Sequence, residues 1–229
     1  MASWAREGEM SGFVSRIRGL LAGEAVIDAG LPLERVPFVV VDTELTGLDE
    51  RRDSVVSVGA VKMSGTRIEL GRSFYQLVSP RADFKRESVV VHGITPDDVA
   101  EKPPIDAVAA ELLSFCGDRV LVGHFLALDL GFLGRECPSI RAADWRRRAV
   151  DTMRLHAWIE RHRHSGDFSA PDPELNLAAL ARRFGIHVGS AHNALADAFT
   201  TAQLLQRQLR LLPEYGVRTL GDLLRVGKP

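Results

Sequence analysis

Apolar positions first fall at helical spacing in SGFVSRIRGLL, residues 11–21, where Phe13, Val14, Ile17, Leu20 and Leu21 line one side and Ser11 is placed to cap the start. A stretch punctuated by Gly and Pro follows, so residues 1–36 read as an N-terminal helical extension. The pattern then changes period. PFVVVDTEL (37–45) is a dense β-branched run of the kind that fills a buried central strand. VVSVGAVKM (55–63) and RIELGRSFYQLV (67–78) are two further β-rich runs, and the Ser64-Gly65 break between them predicts a hairpin.

Helical spacing returns after Pro103-Pro104, through Ala107, Val108, Leu112, Leu113 and Phe115, and Gly117 closes it. VLVGH (120–124) reads as a short strand running into a helix around 127–136. AVDTMRLHAWIERH reads as a brief strand and then a helix, and LNLAALARRFG (175–185) as a helix stopped by Gly185. A long helix from about Asn193 to Leu212 ends at Pro213, and residues 213–229 form a tail with a short helix. A meander of three strands followed by alternating helices and strands implies an α/β fold on a mixed sheet.

Composition narrows the field. The 229 residues suit one domain with a short appendage at each end, and 45% apolar with 26% charged residues is ordinary for a globular chain. No apolar run approaches the roughly 20 residues needed to span a bilayer. The start, MASWAREGEM, has no hydrophobic signal core, so a cytoplasmic protein with no membrane partner is expected. Cys116 and Cys137 lie far apart without zinc-ligand spacing and read as reduced, partly buried thiols. Net charge is −1, so a polyanion would have to be held by a local basic patch or by metal ions.

Candidate chemistry lies in the carboxylates. Asp42 and Glu44, spaced by two at the end of the apolar strand, point to one face, where two like charges are costly unless a cation joins them. Alone, such a pair also describes a solvated strand end. Asp129 follows VLVGH among Leu126, Leu128, Leu130 and Phe132, either as a helix-start charge or as a ligand facing a cleft. Asp197 sits inside the last helix among Ala194, Leu195, Ala196, Ala198 and Phe199, where an acidic side chain has poor propensity and resists burial. His192 falls at the junction of loop and helix, free to swing over a site. Together, four oxygen-ligand carboxylates suit Mg²⁺ or Mn²⁺. They can hold two cations about 3.5–4 Å apart, with His192 as proton acceptor.

The segments VVVDTELTGLD, LVGHFLALDLGFL and SAHNALADAFTTAQLL, in this order, resemble the three motifs of the DEDDh exonuclease family, which includes the proofreading epsilon subunit of bacterial DNA polymerase III and ribonuclease T. The resemblance spans roughly residues 37–212 and implies a ribonuclease H-like fold, a mixed five-stranded sheet flanked by helices. It implies a 3′→5′ exonuclease acting on single-stranded or frayed nucleic acid, with DNA favoured and RNA 3′ ends as the alternative, and a DNA polymerase subunit as a candidate partner. Asp42, Glu44, Asp129 and Asp197 would serve two divalent cations, and His192 would be the general base. Leu45 and Thr46 would meet the 3′-terminal nucleotide through backbone and side chain. ESVVVHGIT resembles the family's HGIT loop, which would bring Glu87 and His92 to that nucleotide; without the resemblance His92 is an ordinary loop residue. Leu45, Phe125 and Leu128 depart from the family's usual Thr, Asn and Phe, a change that bears on substrate preference and leaves the ligands intact.

Residues 146–164 carry Arg146, Arg147, Arg148, Arg154, Arg161, His162, Arg163 and His164, which read either as a phosphate-tracking patch or as a solvated helix face. Trp145 and Trp158 read as base-stacking groups or as partial core. A rival of another class is a binding or polymerase-docking module that kept the fold and lost catalysis; the intact set of four carboxylates and His192 argues against it.

Overall fold

PFVVVDTEL forms strand β1, Pro37–Leu45, and occupies the centre of the sheet because both of its faces are apolar. Phe38 and Val40 pack into one core cluster, while Val39, Val41 and Leu45 pack into another. The structure, a computed structural model, describes residues 28–143, 145–163, 175–189 and 191–229; the helix expected over 11–21 lies outside them.

Strands β2 (Val55–Ser64) and β3 (Arg67–Leu77) make the expected hairpin, closed by Ser64 opposite Arg67. Gly65 turns it at φ +53°, and a Cβ there would run into the backbone of Glu34. Strands β4 (Val120–Gly123) and β5 (Ala149–Asp151) complete a five-stranded sheet in the order β3-β2-β1-β4-β5. The first three are antiparallel and the last three parallel, which makes the sheet mixed.

Helices cover both faces. On one side lie α3 (Ile105–Cys116), α4 (Leu126–Glu136) and α5 (Pro138–Ala142), packed on Val39, Val41 and Leu121. On the other lie α6 (Thr152–Arg163), α8 (Ala194–Leu211) and α9 (Leu220–Val226), packed on Phe38, Val40 and Val122. Helix α7 (Leu177–Arg183) leans on α8 through Leu180 and Leu204. Before α3 come two short helices, α1 (Arg86–His92) and α2 (Pro96–Val99). The stretch expected as an HGIT loop is thus partly helical. Helix α1 buries none of its side chains, so it carries no apolar face for periodicity to reveal.

The segment expected as a tail is part of the packed body. Val217, Leu220 and Leu223 are buried against Val36, Val150 and Leu155. Backbone bonds tie it to the first described residues, from Leu33 N to Arg218 O at 3.1 Å and from Leu220 N to Leu31 O at 2.9 Å. No helix among the described residues is long and apolar enough to cross a membrane.

Candidate active site

Asp42 and Glu44 leave β1 on the face that carries α8, opposite Gly59 and Ser57 of β2. Helix α8 comes down onto that spot. A Cβ on Gly59 would overlap the backbone of Ala194 and Leu195, so only glycine admits the helix at this height. Asp197 therefore hangs directly over the strand end. One oxygen from each of Asp42, Glu44 and Asp197 lies within 4.8 Å of the others. Asp197 stands in the first turn of α8, not mid-helix as the sequence suggested, because the helix begins at Ala194 behind the Asn193 cap. An acid there is favoured by the helix dipole, so its sequence oddity was smaller than it looked.

Asp129 comes from the other side. It is buried in the first turn of α4, and the Thr43 hydroxyl, on the opposite face of β1 from its neighbours Asp42 and Glu44, donates to Asp129 Oδ1 at 2.6 Å. Three carboxylates thus gather over one face, and the fourth reaches round from the other toward Asp42.

Burial and mutual repulsion dominate the electrostatics. Asp42 is pushed well above the usual carboxylate range by burial and then by Asp129, Glu44 and Asp197. Burial raises Glu44 to about 8, with Asp197 and Asp129 adding to it, and burial raises Asp129 to about 7 against the opposing bond from Thr43. Asp197 is also raised by burial, opposed by the backbone of His192. Among the described residues no Lys or Arg forms an ion pair with any of the four. Crowded carboxylates with no paired Lys or Arg among the described residues are the donor set that a hard divalent cation would satisfy, and oxygen-only ligation fits Mg²⁺ or Mn²⁺. The two cysteines are buried free thiols and take no part in this cluster.

His192 stands at the head of α8, exposed, in a left-handed conformation at φ +63°, with its N–H bonded to Asp197 Oδ2 at 2.8 Å. His92 ends α1 beside it. Its Nδ1 accepts from Ile94 N at 3.0 Å, so Nε2 carries the proton and donates to Leu45 O at 3.2 Å. Burial lowers the His92 pKa, opposed by the Leu45 carbonyl, with His192 lowering it further. The structure thus brings His92, Leu45 and His192 together. Thr46 is placed otherwise than expected. It is fully buried, its hydroxyl accepts from Ser54 N at 2.9 Å and faces Asp53 Oδ1 at 3.4 Å, and its backbone bonds Ser54 and Lys85. Its hydroxyl is taken up inside the loop. Glu87 lies exposed in the first turn of α1 with no hydrogen bond or ion pair among the described residues.

Sequence reasoning missed the residues that hold these groups in place. Buried Asp151 accepts from Leu126 N at 2.9 Å and Met153 N at 2.8 Å, so it caps α4, which carries Asp129, and α6. Asp53 binds Lys85 and Asp49 N, joining the loop after β1 to the start of α1. Arg135 reaches the carbonyls of Glu50 and Asp53, and Glu136 accepts from Val55 N at 3.0 Å. No local spacing announces such partners. Five exposed apolar side chains, Leu48, Val90, Val91, Phe125 and Leu128, belong to the same segments that carry the site. In the arginine run, Arg148 pairs with Asp118 and Arg163 with Glu160, while Arg154 and Arg161 are exposed. Trp145 is core, and Trp158 packs against Tyr215 and His162; His164 lies outside the described residues.

The sequence profile of the RNase T family, described as exonuclease, matches residues 39–205, which include all four carboxylates and His192. The chain belongs to that exonuclease family. It is 30% identical over 192 residues to the DNA polymerase III subunit epsilon of Aquifex aeolicus, covering 83% of this chain and 90% of that one. It is 30% identical to a PolC-type DNA polymerase III of Thermotoga maritima over 81% of its length, but spans only 13% of that protein. Against an epsilon-like protein of Rhodobacter capsulatus it is 34% identical over 88% of its length and 28% of the relative's. Among solved structures, E. coli exonuclease I in complex with a dT13 oligonucleotide superposes with a TM-score of 0.64 at 20% identity, over 80% of this chain and 44% of that one. Exonuclease X in complex with 5′ overhanging duplex DNA gives 0.60 at 23%, over 82% and 98%. Both share the fold, and the family's mixed sheet flanked by helices is the one seen in this chain.

Proposed function

We propose that this chain is a two-cation 3′→5′ exonuclease that hydrolyses the terminal phosphodiester of single-stranded or frayed DNA and releases nucleoside monophosphates. The observation that carries this reading is the convergence of Asp42, Glu44 and Asp197 within 4.8 Å, with Asp129 reaching Asp42 from across the strand and no Lys or Arg paired with them among the described residues. Asp42, Glu44 and Asp197 would hold one cation, and Asp42 with Asp129 a second. Cations held there would supply Lewis acidity, easing deprotonation of the attacking water and neutralising charge on the leaving 3′ oxygen.

The remaining steps belong to the chain. His192, exposed beside the carboxylates, takes the proton of the attacking water. Its N–H bond to Asp197 keeps the base in step with that ligand. His92 holds the Leu45 carbonyl, and with it the strand end against which a terminal nucleotide would lie. Phe125 and Leu128 offer apolar surface to its base. Likeness to an epsilon subunit and to a nuclease crystallised on dT13 supports DNA as substrate, a DNA polymerase as partner and a cytoplasmic setting.

The test is incubation with 3′-unmodified, 5′-labelled single-stranded DNA and RNA in Mg²⁺, Mn²⁺ or EDTA. Expected is stepwise shortening from the 3′ end that is faster on DNA, stops in EDTA and is lost in Asp42→Ala. Release of no mononucleotide from either polymer in either metal would sink the reading.

A further inference from the structure

Thr43 stands between the two metal-facing residues of β1, yet it projects to the other face. There its hydroxyl meets the one carboxylate that does not gather with the other three. The bond to Asp129 Oδ1 is 2.6 Å, the length of a charge-assisted O–H···O⁻ contact, and it joins residues 86 positions apart in sequence. It is the only side-chain hydrogen bond to Asp129 among the described residues. A threonine in a strand is stiff at χ1, so the direction of this donor is set by the backbone of β1 itself. That same backbone sets Asp42, its immediate neighbour. The bond therefore ties the carboxylate arriving on α4 to the strand that carries the other half of the pair.

From this geometry we infer that Thr43 is a positioning residue for the second cation: it turns the Asp129 carboxylate so that Asp129 and Asp42 can share one ion. The first ion, held by Asp42, Glu44 and Asp197, has its ligands on the α8 face and does not depend on Thr43. Partners that orient a ligand in this way typically change metal affinity by about 10–100-fold when removed. The effect is thus selective for one of two ions, a distinction that a merely structural role would not make.

This inference rests on the two-cation reading above, and Mn²⁺ binding separates the two. Isothermal titration of the metal-free protein with Mn²⁺ is compared for the wild type, Thr43→Val, which keeps the shape and loses the hydroxyl, and Thr43→Ser, which keeps the hydroxyl. The wild type is expected to bind two equivalents. Thr43→Val should weaken only the weaker one, by about tenfold. The Mn²⁺ concentration for half-maximal DNA cleavage should rise by the same factor, with kcat at saturating Mn²⁺ within about twofold of wild type. Thr43→Ser should restore both. A wild type that binds fewer than two equivalents overturns the two-cation reading and this inference with it. Two equivalents with a Thr43→Val isotherm that overlays the wild type overturn Thr43 alone. So does an equal loss in Thr43→Ser, which would assign the effect to the methyl group's packing. If Thr43→Val does not fold by circular dichroism, Thr43→Ala against Thr43→Ser decides by the same criteria.

Discussion

At the scale of single residues, the four carboxylates and His192 reach the site by different means. Asp197 looked least like ordinary structure in the sequence, yet in the fold it occupies a first-turn position where an acid is at home. What marks it is company: Asp42 and Glu44 lie within 4.8 Å, a relation between distant segments. His192 keeps its place through the backbone rather than the ring, in a left-handed conformation pinned by Asp197. Among the described residues its ring makes no hydrogen bond, as the proposed proton transfer requires. His192→Ala should lower the cleavage rate by about 10²–10⁴ while Mn²⁺ affinity changes less than about threefold. Single-turnover kinetics beside a titration check this, and an unchanged rate would remove the residue from the mechanism.

At the scale of elements, the site depends on how α8 is seated. The helix start is pressed onto β2 at Gly59, and His192, Asn193 and Asp197 all ride on it. Gly59→Ala should destabilise the protein by about 1–3 kcal/mol through overpacking and should cost activity beyond what the lost stability explains. Gly71 on β3 is the control, since a Cβ there meets nothing within 4 Å, and Gly71→Ala should be neutral in both. Equal behaviour of the two variants in urea melts and in cleavage would show that the close approach is not what holds the site. Strands β1, β2 and β4 and the long helices are legible in the sequence because each has an apolar run or face of the right period. Helix α1 was not, because Val90 and Val91 on it are exposed and it packs no stripe into the core.

For the whole molecule, the crowded carboxylates tie stability to pH and to metal. Glu44 is raised to about 8, Asp129 to about 7 and Asp42 also upward, so the folded metal-free protein holds protons more tightly than the unfolded chain. Their contribution to stability is fully present below the ordinary carboxylate range near pH 4. It is lost as pH rises through about 7–8. In EDTA the Tm should therefore fall by roughly 3–10 °C between about pH 5.5 and 8.5. Excess Mg²⁺ should restore most of that fall at the upper pH, because the ion binds the deprotonated groups of the folded state alone. Calorimetry that shows no fall in EDTA and no response to Mg²⁺ would mean that the carboxylates are not crowded in the folded protein.

The sequence by itself determined the order of the strands and long helices and the mixed sheet, and it singled out Asp42, Glu44, Asp129, Asp197 and His192 as candidates, because hydrophobic period and short motifs are local properties. It also carried the family. Only the tertiary structure decided that Asp42, Glu44 and Asp197 share one face of β1 while Asp129 approaches from the other, held by Thr43. Only there did Thr46 turn inward to Asp53 and Ser54, and did the C-terminal segment join the core through Leu220 and Leu223. The reason is physical: a hydrogen bond such as Thr43 to Asp129 spans 86 residues, and no local spacing encodes which face of a strand a distant helix will cover.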